Sequence, residues 1–430
     1  MTERPENGRE GGIPPAGARV VVVGAGFAGG SFLQRLPPSL QRSGEILLVD
    51  REEEHAFIPL IHEVAVGRIH PGSVRTPITR DDSASYGFFR AEASGVDLDS
   101  NTLLTSSGEV KYRYLVLAPG SVATPPPEDL LGYFQTFWSL SDALKLRASL
   151  NEAWQGALRG ESHPTGGLTV AIVGGGATGV ELAAEVVALF DYLKKRAARA
   201  PALAPKVVLL EATERLMDWL EPYFHEVALE ELTRLGVEVQ LNAPVTDAND
   251  KGVKAGDEWL PAATRVWATG VRASPLVRDL PGEHDDAGRV VVDEYLTLPG
   301  HPEVYVLGDS GLYEHPDLGP LPPTASVAVQ QGPYVARDLR RRLRGVPREK
   351  RRPFEFFDRG YVVSLGPESA VATVVGGKLK GRPGQALYRS IFLYYMKSFR
   401  GRLLTGADWA MEQTLGRVGF EHRPASERAR

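Results

Sequence analysis

The same glycine pattern occurs twice in this chain, each time behind a run of β-forming residues, and that repetition restricts the fold more than any other feature. Gly24-Ala25-Gly26-Phe27-Ala28-Gly29 follows the valines at 20–23, and Gly174-Gly175-Gly176-Ala177-Thr178-Gly179 follows residues 170–173. A strand that enters a helix through such a turn needs glycine three times. The first makes the tight turn, the second lets backbone approach a pyrophosphate, and the third lets helix and strand pack closely. The helix N-terminus then meets the phosphate charge. Each pattern is completed by an acid that closes a later apolar strand, Asp50 after residues 46–49 and Glu211 after residues 207–210, placed to accept from a ribose hydroxyl. Two fingerprints with two acids predict two dinucleotide sites in one chain.

Length and charge set the frame for this reading. With 430 residues, 43% apolar and a net charge of −5, the chain has material for two or three domains with proper cores, and nothing in its bulk charge points to nucleic acid. It has no cysteine. Mechanisms that need a thiolate, a redox disulfide, an iron–sulfur cluster or a Cys-ligated zinc are thereby excluded, so redox chemistry must run through a bound cofactor. Residues 1–18 are rich in Gly, Pro and charge and lack an apolar core, which reads as a disordered tail and not as a signal peptide. The chain is expected to stay in the cytoplasm. No apolar stretch approaches the roughly 20 residues of a spanning helix, so membrane contact must be made from one side.

Along the chain, a first αβ pattern at 19–136 contains a short strand at 115–118 closing at Pro119-Gly120-Ser121. After Pro125-Pro126-Pro127 comes a helix at 141–158, then a second βαβ pattern at 168–270 that ends in Val266-Trp267-Ala268-Thr269-Gly270. Strand-like runs at 289–293 and 304–307, the latter ending at Gly308-Asp309, indicate that the first domain resumes after an insertion. Three short β segments at 354–357, 361–365 and 370–375 and a helical tail follow.

This arrangement resembles the two-dinucleotide-binding flavoproteins, and within them the type II NADH dehydrogenases, the single-chain NADH:quinone oxidoreductases. The likeness runs over residues 19–410. It is carried by Asp50-Arg51 through His55 to Ile58-Pro59-Leu60-Ile61-His62-Glu63-Val64-Ala65, by Gly179-Val180-Glu181-Leu182-Ala183, and by Ala328-Val329-Gln330-Gln331-Gly332. The resemblance implies an α/β fold of two Rossmann-like domains, an FAD domain with an NADH domain inserted, followed by a C-terminal α+β membrane-associating region. Its expected boundaries are 19–136 and 286–345 for the FAD domain, 137–285 for the NADH domain and 346–430 for the C-terminal region.

In such proteins the N-terminal fingerprint holds FAD and the internal one NADH. The resemblance therefore assigns Gly24, Gly26, Gly29 and Asp50 to the flavin cofactor, with Phe27, Ala28, Arg51, Ala118, Gly120, Gly308, Asp309 and Ala325 beside them. Gly174, Gly176, Thr178, Gly179, Glu211, Thr269 and Gly270 go to the nicotinamide cofactor. Asp309 matches the family Asp at the flavin's ribityl and pyrophosphate region. Where the family commonly shows Ala-Gln-x-x-x-Gln near the quinone, this chain has Ala325-Ser326-x-x-x-Gln330.

Several of these residues admit two readings. Pro322-Pro323-Thr324 opens a helix with Thr324 as N-cap, whose positive end the resemblance points at the flavin; a helix after any proline-rich turn starts the same way. Gln330 is a quinone contact by family likeness, yet Gln330 and Gln331 also suit a solvated helix face. Glu181, placed in the first turn after the second fingerprint, is favoured there by the helix dipole alone. By resemblance it lies near nicotinamide, flavin and quinone, where it tunes nicotinamide docking or relays a proton to reduced quinone. Glu185, one turn further, faces solvent or a salt partner. Glu211 accepts from the ribose 2′-hydroxyl and favours NADH over NADPH, or is a charge at a strand end; Arg215 nearby suits an added phosphate. His55, His62 and His70 lie on loop-like sequence without metal spacing, and His62 stands where the family often has Tyr and reads as structural.

From 387 to 404 the large residues Tyr388, Phe392, Tyr395, Met396, Phe399 and Leu403 recur at helical steps, with Arg389, Lys397 and Arg400 beside them. Such a helix lies in a lipid headgroup plane or docks on its own domain or on a dimer partner. Gly401 interrupts it. The combined expectation is a peripheral enzyme on the cytoplasmic face of the cell membrane, passing hydride from NADH to FAD and two electrons to menaquinone or ubiquinone. Whether it forms a homodimer is open. A flavin-dependent reductase of a soluble acceptor such as ferredoxin, and a signalling flavoprotein like apoptosis-inducing factor, are the alternatives. Sulfide:quinone and disulfide reductases share the architecture but require thiols.

Overall fold

The computed structural model describes residues 18–36, 45–78, 86–161, 167–197, 203–415, 417 and 420. Of the N-terminal tail expected at 1–18, residues 1–17 lie outside the described residues, and Ala18 begins the first strand. The described chain forms two compact units. The first draws on the described residues of 1–55, 77–122 and 271–358, the second on those of 56–76, 123–270 and 359–430.

The first unit is built on a sheet in the order Thr297–Leu298, His301–Val306, Gly108–Leu117, Ala18–Val23, Ile46–Asp50, Gly87–Arg90. From His301–Val306 onward neighbouring strands are parallel. A parallel sheet covered on both faces demands strands that are apolar throughout. This is why Val20, Val21 and Val22 are all fully buried and why the alternation of a half-exposed strand is missing. The helices Phe27–Gln34 and Ala325–Leu343 pack together where a Cβ on Gly332 would come within 2.4 Å of Ala28 O and 2.6 Å of Phe32 N, so only glycine allows this approach.

The second unit repeats the plan, with a parallel sheet in the order Gln135–Thr136, Thr264–Trp267, Thr169–Val173, Lys206–Leu210, Glu238–Gln240. Helix Leu140–Leu158 starts at a capping box in which Ser139 Oγ accepts from Asp142 N and the Asp142 carboxylate accepts from Ser139 N. An antiparallel sheet of Val362–Ser364, Ala370–Val374 and Gly377–Lys380 and the helices Gly381–Tyr395 and Phe399–Leu415 complete it.

Two expectations about the C-terminal part are corrected. Residues 354–357 are not a strand; the third strand of that sheet is Gly377–Lys380. The chain at 352–357 is tied by separate bonds, Tyr334 Oη to Arg352 O, Tyr313 Oη to Phe354 O and Phe354 N to Glu294 O, instead of a ladder. The helical stretch expected at 387–404 breaks at Met396, which turns extended after Tyr395, and not at Gly401, which lies inside the second helix. The apolar stripe divides accordingly. Tyr388 and Met396 are buried, Phe392 and Tyr395 are half-buried, Phe399 is 71% exposed and Leu403 58%; Tyr394, outside the stripe, is also 71% exposed.

Candidate functional site

In each unit the expected cofactor residues gather at the carboxyl edge of the parallel sheet, where open α/β sheets bind their ligands. In the first unit Val23 leads into Gly24, Leu117 into Ala118 and Gly120, and Val306 into Gly308 and Asp309, while Asp50 ends its strand. In the second, Val173 leads into Gly174, Leu210 into Glu211, and Trp267 into Thr269 and Gly270.

The two glycine turns agree in detail. Gly24 (φ +90°) and Gly174 (φ +109°) adopt left-handed backbone, and a Cβ on either would strike the carbonyl of the neighbouring strand, Ala118 O at 2.3 Å and Ala268 O at 2.5 Å. A Cβ on Gly29 or Gly179 would lie 1.9 Å from the oxygen of its own turn's first glycine. Gly26 and Gly176, the N-caps of Phe27–Gln34 and Ala177–Arg196, face open space, with nothing within 4 Å of a built Cβ. Neither helix has an acid in its first turn, so the positive end of each dipole is not neutralised by its own side chains. Thr178 sits within the first turn of the second helix.

The closing acids hold these turns. Asp50 Oδ2 accepts from Ala25 N at 2.8 Å and Oδ1 from Glu52 N at 3.0 Å. Glu211 Oε2 accepts from Gly175 N at 2.6 Å, and its Oε1 takes Thr213 N at 2.8 Å and Thr213 Oγ1 at 3.0 Å. Burial pushes Asp50 above the usual carboxylate range, with the two backbone N–H groups opposing. Arg215 forms an ion pair with Asp218.

Around Asp309 the first unit makes a small polar clamp. Ser121 Oγ donates to Asp309 Oδ2 at 2.6 Å, Ser310 Oγ donates to Gly120 O at 2.7 Å, and the buried Gln331 accepts from Gly308 N at 2.6 Å. Burial raises the Asp309 carboxyl as well, against the Ser121 hydroxyl and Arg289. Phe27 packs edge-on to His55, with ring centroids 5.6 Å apart. Arg51 is exposed, 3.7 Å from Glu92. Ala325 opens a helix capped by Thr324, whose Oγ1 accepts from Val327 N at 3.4 Å.

Gln330 and Gln331 are not a solvated face. Gln330 Nε2 donates to Ser326 O at 3.1 Å and Phe357 O at 3.0 Å, and its Oε1 accepts from Phe357 N at 3.1 Å. It holds the exposed Phe357 on the helix by its backbone.

Glu181 is the fifth residue of Ala177–Arg196, past the first turn, so the dipole contributes less to it than expected. Its Oε1 accepts from Ser364 N at 3.1 Å, and Oε2 lies 3.6 Å from His62 Nδ1. His62 belongs to the helix Ile61–Ala65 and not to a loop; it is buried, and its Nε2 is 3.1 Å from the Tyr388 hydroxyl. Burial pushes Glu181 up to about 8, opposed by Ser364 N–H and assisted by Glu63 and Glu185. Burial lowers His62 to about 4, against Glu185 and with Arg68.

Glu185 has a salt partner and no solvent. Arg68 Nη1 donates to it, both side chains being fully buried. Burial pushes Glu185 up and Arg68 pulls it back; for Arg68, burial is outweighed by Glu185, Glu63 and Glu412, and the guanidinium stays charged. None of this ionic cluster was assigned from the sequence, because its members come from separate segments and share no motif. The one available signal was charge inside an apolar run, His62-Glu63 and Arg68 amid Ile61, Val64, Ala65, Val66 and Ile69.

Residues 18–332 match the family model described as pyridine nucleotide-disulphide oxidoreductase. The type II NADH:quinone oxidoreductase Ndh of Mycobacterium tuberculosis is 30% identical over 417 residues, covering 93% of this chain and 88% of that protein. The chain belongs to the pyridine nucleotide-disulphide oxidoreductases, among the type II NADH:quinone oxidoreductases. Its fold is shared by solved structures of low identity. NDH2 from Plasmodium falciparum in complex with NADH superposes with a TM-score of 0.82 at 16% identity, covering 94% of this chain and 99% of that one. The sulfide:quinone oxidoreductase of Aquifex aeolicus gives 0.70 at 17% identity, covering 93% and 95%. As a type II NADH:quinone oxidoreductase family member the chain is an oxidoreductase, and its lack of cysteine sets it apart from thiol-dependent chemistry on the same fold.

Proposed function

We propose that this enzyme binds FAD at the first glycine turn and NADH at the second, and passes two electrons from NADH to a quinone at the cytoplasmic face of a membrane. The observation that carries the reading is the duplication itself: two strand–turn–helix units, each with an open N-cap glycine and an acid at the edge of its parallel sheet.

The residues suit the two dinucleotides. Gly26 and Gly176 leave room for a pyrophosphate at a helix end that carries no acid of its own. A carboxylate offers about four acceptor positions. Asp50 uses two and Glu211 three on their own turns, so each retains capacity for a ribose hydroxyl. Asp309, held by Ser121, would meet the flavin's ribityl region, with Phe27, Ala28, Arg51, Ala118, Gly120, Gly308 and Ala325 around it. Thr178, Gly179, Thr269 and Gly270 would line the nicotinamide nucleotide. When bound, FAD supplies the electron chemistry, accepting hydride and releasing electrons to the acceptor; the protein contributes position and electrostatics.

The chain's own residues then have separable tasks. Thr324 and the helix it caps direct a positive dipole end outward from Ala325. Gln330 acts toward a quinone through the segment it holds, presenting Phe357. Glu181, kept protonated at neutral pH by burial, holds a proton for the reduced acceptor. Among the described residues no helix is long and apolar enough to cross a membrane. Tyr394, Phe399 and Leu403 instead offer exposed apolar side chains for one-sided contact with lipid, which favours a membrane quinone over a soluble acceptor.

The test is NADH oxidation by the flavin-loaded protein with anionic vesicles containing menaquinone or ubiquinone, compared with ferredoxin in solution. The proposal expects turnover that sediments with the vesicles and depends on the quinone. Turnover confined to the soluble acceptor would defeat it.

A further inference from the structure

The segment between strand Lys206–Leu210 and helix Pro222–Leu235 folds back onto the second glycine turn, and one residue of that turn ties it in two places. Gly175 N donates to Glu211 Oε2 at 2.6 Å, and Gly175 O accepts from Met217 N at 2.9 Å. A Cβ on Gly175 would lie 2.7 Å from Leu216 Cδ2 and 2.9 Å from Glu211 Oε2, so the segment closes over the turn with no room for a side chain there. Leu216 and Met217 are buried, and Leu216 N donates to His225 Nδ1 at 3.0 Å. Met217 has left-handed backbone, φ +50°, which a residue with a side chain adopts only where its surroundings hold it. Strain of this kind gathers at ligand clamps. Across the bend, Asp218 Oδ1 pairs with Arg215 Nη2.

Arg215 is the one guanidinium between Glu211 and Glu221, and it stands beside the acid. Thr213 Oγ1, 3.0 Å from Glu211 Oε1, is also 3.0 Å from Arg215 O. A single hydroxyl thus separates the Arg215 backbone from the Glu211 carboxylate, a span that an arginine side chain covers. Among the described residues, however, no ion pair joins the two, and the guanidinium goes to Asp218. Asp218 takes only one prong of the guanidinium fork. Arg215 Nε is buried and has no protein partner. A phosphate group accepts from two such donors at once, so the fork suits a ligand better than it suits the partner it has.

We propose that Asp218 is a positioning residue for nucleotide choice: it draws the Arg215 guanidinium away from the ribose, so that no cation neutralises a 2′-phosphate and the Glu211 charge refuses NADPH unopposed. The inference rests on the reading that the second glycine turn binds NADH, and deepens it. Choice between two nucleotides is a difference of affinities, and withholding a favourable contact from the wrong one enlarges that difference. Glu211 supplies the repulsion, and Asp218 withholds the attraction. Arg215 and Asp218 are 37% and 51% exposed, so the pair is a light one that a single substitution undoes.

The experiment is calorimetric titration of the intact flavin-loaded protein with NAD⁺ and NADP⁺, which leave the flavin oxidised. The two ligands differ only in the 2′-phosphate. A general disturbance of the segment moves both alike and cancels in the ratio of their dissociation constants. In Asp218→Asn the ratio of NADP⁺ to NAD⁺ should fall about fivefold, the equivalent of about 1 kcal/mol and the upper end for an exposed ion pair. In an Arg215→Ala background the same Asp218→Asn change should move the ratio by less than about twofold, because no guanidinium is left to release and the lost charge alone is screened. An unchanged ratio in Asp218→Asn, or an equal fall with and without Arg215, would overturn the role of Asp218 while Glu211→Gln still shifts the ratio. If NAD⁺ does not bind, or Glu211→Gln leaves the ratio unmoved as well, the nucleotide reading of the second turn falls and the role of Asp218 with it.

Discussion

Glu211 holds its own turn, and the proposed function gives the same carboxylate a ligand to meet. It accepts from Gly175 N, so the charge that would discriminate between nucleotides also fixes the glycine turn. In Glu211→Gln an oxygen remains for Gly175 N but the charge that repels a 2′-phosphate is lost. The ratio of kcat/KM for NADH over NADPH should fall about tenfold, in keeping with a hydrogen bond to a charged group. An unchanged ratio would remove Glu211 from nucleotide selection. The Glu181–His62 pair also makes stability depend on pH in two directions. Glu181 is raised from 4.5 to about 8, so its contribution is complete below about pH 4.5 and is lost as pH rises through 8. His62 is lowered from 6.5 to about 4, so its contribution is complete above pH 6.5 and is lost as pH falls through 4. Denaturant unfolding across pH should show Glu181→Gln flattening the alkaline side and His62→Gln the acid side; parallel curves for all three proteins would contradict these environments. The glycines and closing acids were legible in the sequence because each answers a local steric or electrostatic demand. His62, Arg68, Glu185 and Glu412 were not, since their meaning arises only when separate segments meet.

The helices at the glycine turns depend on backbone approach. A methyl group on Gly332 would press on Ala28 O and Phe32 N, both main-chain atoms that do not yield without moving Phe27–Gln34. Gly332→Ala should destabilise by about 1–3 kcal/mol and weaken flavin retention, because the displaced helix begins at the first turn. Wild-type thermal stability with full flavin content would show that the approach is not needed. Strands buried on both faces were recognisable as unbroken runs of Val, Leu and Ile. The segment 354–357 read as a strand for the same apolar character, but the Tyr313 hydroxyl and the Glu294 carbonyl take the backbone groups of Phe354 and the Gln330 amide those of Phe357, and scattered partners of that kind leave no periodic trace. The two-helix C-terminus was foreshadowed by Gly401, yet the break falls at Met396–Ser398, where the chain turns extended.

On the scale of the whole molecule, the C-terminal helices belong to the core of the second unit as well as to its surface. Tyr388, Trp409, Glu412 and Arg417 complete the buried cluster, and Asp408 accepts from Ser73 Oγ at 2.7 Å and His70 N at 3.0 Å. Deleting the chain beyond Gly384 would therefore not give a soluble active enzyme, as a detachable anchor would. It would strand Arg68, Glu63 and Glu185 in the interior, a loss of about 3–5 kcal/mol for a broken buried pair. The truncated protein should aggregate or unfold, whereas Tyr394→Ser, Phe399→Ser and Leu403→Ser combined should keep the fold and lose vesicle binding. A soluble, flavin-loaded truncation would refute this placement, and so would vesicle binding that survives the triple change.

The central claim is that one chain takes hydride from NADH into a bound flavin and gives the electrons to a quinone. Its most direct test is the visible absorbance of the purified flavin-loaded protein under anaerobic conditions, with one equivalent of NADH added and then one of a short-chain quinone. Bleaching of the flavin by NADH followed by recovery of the oxidised spectrum with quinone is the predicted result. A protein that takes up no FAD, a flavin that NADH leaves oxidised, or a reduced flavin that quinone does not restore would contradict it.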